Sequence, residues 1–158
     1  MKMIREFLVL VSFVCTMASC SKESTGTANV AEAENVHEIE NELLDVVNQH
    51  RLSIGQNSLT FSSVAYEYAN QHTDYMLARG SINHDNFSKR ASNISAKEDA
   101  KYVAENVAKD YSSATEAFNG WLKSSNHRKT MEDDFTHTAV SVKESNDGTL
   151  YFTQIFFR

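Results

Sequence analysis

The sequence predicts a mixed α/β domain with a small antiparallel sheet, and three observations carry that prediction. Two stretches between His37 and Gly80 repeat apolar residues at helical spacing. The segment from Thr136 to Phe157 alternates on both sides of Ser145-Asn-Asp-Gly148, the pattern of a hairpin. Between them, Lys101 to Lys109 mixes β-branched and small residues around a single Glu105 and reads as a short strand or extended segment. A chain of 158 residues, 41% hydrophobic and 23% charged, suffices for one such domain with its own core.

Residues 1–19 stand apart from that domain. Lys2 and Arg5 precede an apolar run from Phe7 to Val14, closed by Met17-Ala-Ser-Cys20. The run is shorter than the ~20 residues of a membrane span and suits the h-region of a secretory signal. Small residues ahead of a cysteine resemble the lipobox of bacterial lipoproteins, with Met17 where leucine is commonest. On that reading 1–19 is a lipoprotein signal peptide and Cys20 is lipidated; the plain alternative is an ordinary signal cut nearby. Cys15 would leave with the signal, so the mature chain could form no internal disulfide. Residues 20–35 are small, polar and acidic, a flexible tether of roughly 20 Å. Without Lys2, Arg5 and Glu6 there remain 13 basic and 20 acidic residues, a net charge of −7. That balance argues against nucleic acid and anionic headgroups as partners.

The domain is expected over 36–158. Ile39, Leu43, Val46 and Val47 define a first helix, with acids early, Arg51 late and Gly55 as its stop. Ser62 or Ser63 can cap a second helix, whose stripe runs through Ala65, Tyr68, Ala69, His72, Tyr75 and Met76 to Gly80. Residues 81–100 are polar and irregular, with at most one short helix, the kind of segment that often carries a site. Ser113 and Glu116 form a capping box that opens a third helix through Ala117, Phe118 and Trp121. The strand after Lys101 and the closing hairpin complete the layout.

The order of landmarks is similar to that of the CAP superfamily, also called SCP-like: cysteine-rich secretory proteins, antigen 5 and pathogenesis-related proteins. The landmarks are Asn48-Gln-His-Arg51, Ala69 with His72, His84, Glu105-Asn-Val-Ala108, Trp121, His127-Arg128 and Tyr151-Phe-Thr-Gln154-Ile-Phe156. The likeness is closest to the compact bacterial branch and covers about residues 37–158. It implies a three-layer α-β-α sandwich and a cleft lined by two histidines and two acids, which binds a divalent metal in several relatives. Carried over by position, the histidines are His84 and His127 and the first acid is Glu105. The second acid would fall at position 124, where this chain has Ser124. Ala104 replaces a glycine and Thr130 an asparagine.

His84, His127 and Glu105 together would make a His₂Glu set, the ligand count of a catalytic zinc site. If Glu105 instead holds an imidazole N–H, the metal keeps only two protein ligands. A hydrogen-bonded polar cluster that only stabilises the fold is the plain alternative. Ser124 and His127 share a helical face, but no strained turn or oxyanion loop accompanies them, so a hydrolase triad is disfavoured. His72 on an apolar stripe reads as a core histidine and His50 as structural, while His137 reads as a solvated loop residue. Asp85 could cap a turn. Asn48 and Arg51 are expected to tie the first helix to neighbouring backbone. The sequons at Asn86 and Asn93 are discounted for a bacterial lipoprotein.

The expected function is a lipid-anchored, extracytoplasmic module that binds a small ligand or protein partner through the cleft of His84, Glu105, Ser124 and His127. Zinc or a similar ion is an optional cofactor. The rival is a metal-dependent hydrolase of peptide or cell-envelope polymers.

Overall fold

A computed structural model describes residues 33–158. The expected signal peptide, Cys20 and nearly all of the tether lie outside the described residues. The elements run α1 (His37–Ser53), β1 (Thr60–Phe61), α2 (Ser63–Arg79), α3 (Phe87–Glu98), β2 (Val103–Lys109), α4 (Ala114–Lys123), α5 (Ser125–Glu132), β3 (His137–Glu144) and β4 (Leu150–Phe157).

The helix ends follow local chemistry. Ser62 caps α2 by accepting the Ala65 N–H at 3.2 Å, and Gly80 closes it in the left-handed region at φ 67°. At α4 the expected box is displaced. Ser113 accepts the Glu116 N–H at 3.2 Å, but the Glu116 carboxylate reaches back to the Ser112 N–H at 2.9 Å rather than to Ser113. The segment expected to be mostly irregular is more ordered than that. Its helix α3 runs for twelve residues, with Phe87, Ala91 and Ile94 against the core and Arg90 buried beside them. Three apolar residues among serines and asparagines give a faint period, yet they suffice because the sheet covers them.

The sheet order is β1-β3-β4-β2. β4 pairs antiparallel with both neighbours, so Ile155 stands between Glu105 and Ala139. β1, by contrast, runs parallel to β3, pairing Thr60 with His137, so the sheet is mixed and not purely antiparallel. Helices cover both faces, which is why every residue of β4 is buried. Phe152 and Phe156 join Leu43, Val47, Trp121 and Met131 in one core layer under α1, α4 and α5. Ile155 and Phe157 join Ala65, Tyr68 and Ile94 in the other, under α2 and α3. This is the expected three-layer α-β-α sandwich. Each large side chain so buried contributes about 1.5–3 kcal/mol.

Polar staples hold the layers in register. Asn48 donates to the Leu59 carbonyl at 3.2 Å and accepts the Leu59 N–H at 2.8 Å. Arg51, 1% exposed, donates to the carbonyls of Asn57, Met131, Asp133 and Phe135. Both therefore tie α1 to neighbouring backbone, as the sequence suggests. The buried charges Glu40 and Lys143 give no such warning. Glu40 accepts the Val142 N–H and the Tyr66 hydroxyl, both at 2.9 Å, and Lys143 is paired to both oxygens of Asp74 at 2.7 Å. Asn35, in the expected tether, forms an isolated antiparallel bridge with Lys143.

Candidate functional site

The site is built around the parity of one edge strand. Successive residues of β2 point to opposite faces of the sheet, so Glu105 enters the α2/α3 layer while Asn106 enters the layer of α4 and α5. On its side, Glu105 meets Arg90 from α3. Both Glu105 oxygens lie 2.8 Å from Arg90 Nη2, and Nε donates to Oε2 at 3.0 Å. His84, in the turn before α3, places Nδ1 2.8 Å from Oε1 of the same carboxylate. Its side chain is 51% exposed while that of Glu105 is 1% exposed, so the buried acid orients a histidine that reaches outward. The carboxylate takes the N–H at Nδ1, leaving Nε2 as the atom turned away from the acid.

His72 closes the back of the cluster. Its Nε2 donates to the Asn83 carbonyl at 2.8 Å and lies 3.6 Å from Glu105 Oε1. Burial lowers its pKa, opposed by the charge on Glu105. It is the hydrogen-bonded core histidine that the sequence suggests, and it fixes the turn that presents His84.

His127 comes from the other layer. Asn106 donates to its backbone carbonyl at 3.1 Å, which docks α5 against β2. Burial lowers the His127 pKa, and the nearby charge of His84 lowers it further. His127 is thus within electrostatic reach of His84. Ser124 sits at the start of α5, with its backbone carbonyl accepting the Arg128 N–H at 2.8 Å. Among the described residues its hydroxyl makes no hydrogen bond to His127, and no triad forms.

The expected His₂Glu set does not close. Both oxygens of Glu105 are held by Arg90, one of them also by His84, and it stands behind the imidazole instead of beside a metal. Among the described residues, no three His, Cys, Asp or Glu groups converge on a point that could hold an ion. The residues therefore do not fit the three-ligand zinc site, and two imidazoles are what remain.

A groove of about 270 Å³ lies beside His84, walled by Phe87 and Tyr102 and floored by Val103, Ala104 and Glu105. Arg90, Phe87 and Tyr102 were not among the residues singled out by sequence. For Phe87 the signal is its spacing with Ala91 and Ile94 on one helical face; Arg90 and Tyr102 give none. Asp85 caps no turn with its side chain; it accepts the Tyr75 hydroxyl at 2.8 Å. His137 is the first residue of β3, stacked on Phe157 at 4.9 Å, rather than a solvated loop residue. His50 is structural, with Nε2 2.9 Å from Glu132.

The comparisons agree with this architecture. The model of the cysteine-rich secretory protein family, CAP, matches residues 44–156. A Bacillus subtilis protein described as the uncharacterized membrane protein YlbC is 29% identical over 125 residues, covering 75% of this chain and 34% of that protein. The chain thus spans about a third of the length of this curated relative. An outer surface protein of Borrelia burgdorferi superposes with a TM-score of 0.71 at 15% identity, covering 80% of this chain and 98% of that one. A Bacillus anthracis extracellular protein containing an SCP domain superposes with a TM-score of 0.67 at 24% identity, covering 77% and 41%. These two likenesses speak to fold. No helix among the described residues is long and apolar enough to cross a membrane. With the family model matching most of the chain, from the middle of α1 to the last strand, the protein belongs to the cysteine-rich secretory protein (CAP) family.

Proposed function

We propose that this CAP domain is a tethered, extracytoplasmic binding module whose recognition element is the cleft beside His84. One observation carries the reading: a buried carboxylate, held at both oxygens by Arg90, presents the exposed imidazole of His84 at the mouth of a groove. That arrangement fixes the direction of a hydrogen-bonding group, which suits recognition. It leaves Glu105 without a free oxygen for general-base work. The lipobox-like run at Cys20 and the polar segment after it support attachment to a membrane surface. A metal-dependent hydrolase of peptide or envelope polymers would need a third ligand or a free carboxylate, and no observation among the described residues favours it.

Native mass spectrometry of the full chain extracted from a bacterial envelope tests both parts. The expected result is a lipid-modified mass and a non-covalent adduct that is lost in His84→Ala/His127→Ala. Absence of any adduct, together with zinc-dependent hydrolysis of envelope polymer that the same variant loses, would replace the reading with the hydrolase.

A further inference from the structure

β2 is the last strand of the sheet, so among the described residues one of its edges has no neighbouring strand. The hydrogen-bond parity of that edge can be read directly. Tyr102 exchanges N–H and C=O with Arg158, at 3.1 Å in both directions, which fixes the even-numbered residues as the ones bonded to β4. The odd-numbered residues Val103, Glu105 and Val107 therefore turn their peptide groups outward. Val107 is already used: its carbonyl accepts the Trp121 indole N–H at 3.2 Å, and α5 docks on the same stretch through Asn106. Val103 and Glu105 are different. No hydrogen bond among the described residues reaches their outward N–H or C=O groups, and both line the groove beside His84.

We propose that the open half of this edge, Val103 to Glu105, receives an extended peptide segment of a partner protein as an added strand. The proposal rests on the cleft reading above and names the chemistry of its occupant. Two N–H and two C=O groups, alternating and one strand repeat apart, are the electrostatic complement of an extended backbone and of little else. The walls suit alternate side chains. Phe87 and His84 stand on the α3 side, and Tyr102, 50% exposed and stacked on Phe135, stands on the other. An apolar residue of the added strand would meet Phe87, and one bearing a hydroxyl would meet Nε2 of His84. The groove carries no uncompensated acid against such a segment: Glu105 is paired with Arg90, and Asp85 is turned to Tyr75. Exposed edges are usually blunted by charge, proline or cover. Here the Val107 end is covered, and among the described residues the Val103–Glu105 end is left open.

The test uses ¹⁵N-labelled protein from Ser21 onward and a pool of capped pentapeptides alternating β-branched or aromatic residues with Ser or Thr. At millimolar pool, the Val103 and Glu105 amides should shift and exchange about tenfold more slowly. Ala104 and Asn106, already bonded to β4, should not change. Backbone N-methylation of the peptides at alternate positions should abolish the effect in one phase and spare it in the other. Val103→Pro removes an outward donor without touching the bonds to β4 but also trims a core side chain, which Val103→Ala trims with the donor kept; the proline variant should lose the response and the alanine variant should keep it. No response of the two amides, an equal response to peptides methylated in either phase, or an undiminished response in Val103→Pro would overturn the proposal. Concentration-dependent dimerisation that protects the same amides would also overturn it, assigning the edge to a second copy. If the pool fails while the His84-dependent adduct persists, the added strand is wrong and the cleft reading survives.

Discussion

Arg90 and Glu105 form a two-toothed ion pair at the centre of the site, with both carboxylate oxygens 2.8 Å from Nη2 and side chains 10% and 1% exposed. The pair joins α3 to β2 and supports the imidazole of His84. Breaking such a pair from one side leaves a buried charge alone, which typically costs about 3–5 kcal/mol. Arg90→Met should lower the urea midpoint accordingly, and Arg90→Met/Glu105→Leu should recover much of the loss while releasing His84. Equal destabilisation by the single and double variants would show that packing, not charge, dominates there.

Two imidazoles make the fold sensitive to mild acid. His72 and His127 both have pKa values lowered from 6.5, mainly by burial. The unfolded chain then binds protons first as pH falls, so stability present above the unfolded pKa declines once pH drops below about 6.5. Thermal melts between neutral pH and pH ~5 should show this decline. His72→Gln should be less stable at neutral pH but flatter across that window. In an NMR titration, His84→Ala should raise the His127 midpoint toward its usual value, because it removes a neighbouring positive charge.

Tyr66 carries a shift of the opposite kind. Its pKa is raised to about 12 by burial, by its hydrogen bond to Glu40 and by the Glu40 charge. Glu40→Gln should move the phenol midpoint down toward 10 in an ultraviolet titration, leaving the part due to burial. For this group the sign is reversed: its contribution is complete below the unfolded pKa near 10 and is lost as pH rises toward the folded value.

Gly120, inside α4, faces the Tyr111 ring so closely that a Cβ there would collide with its hydroxyl and Cζ. Alanine would add about 1 kcal/mol of helix propensity. Overpacking costs about 1–3 kcal/mol and should win unless the ring swings out. Gly120→Ala should therefore lower the melting temperature, and Gly120→Ala/Tyr111→Ala should regain part of it. A melting temperature raised in the single variant would show that Tyr111 moves freely.

The sequence carries most of the fold because its signals are local. Ser62, Gly80 and the alternation of β3 and β4 mark their elements without help from the rest of the chain. β1 is silent by comparison, since two residues pairing in parallel have no period to read. α3 is faint because only Phe87, Ala91 and Ile94 mark its inner face. Within the site, His84, Glu105 and His127 were legible only through likeness to a family. Their separation onto two faces follows from strand parity, which could have been applied to Glu105 and Asn106 once β2 was placed. Arg90 was not legible, because a lone arginine in a polar stretch looks the same whether it faces water or a buried acid.

Glu105 and Asn106 are consecutive, yet one holds the turn of His84 and the other the backbone of His127. The two helical layers of the sandwich are thus mechanically joined across a single peptide bond. A one-residue slip in β2 would exchange their anchors outright, sending the carboxylate into the tryptophan layer and the carboxamide toward Arg90. Which helical layer each histidine anchor serves is consequently a property of strand phase.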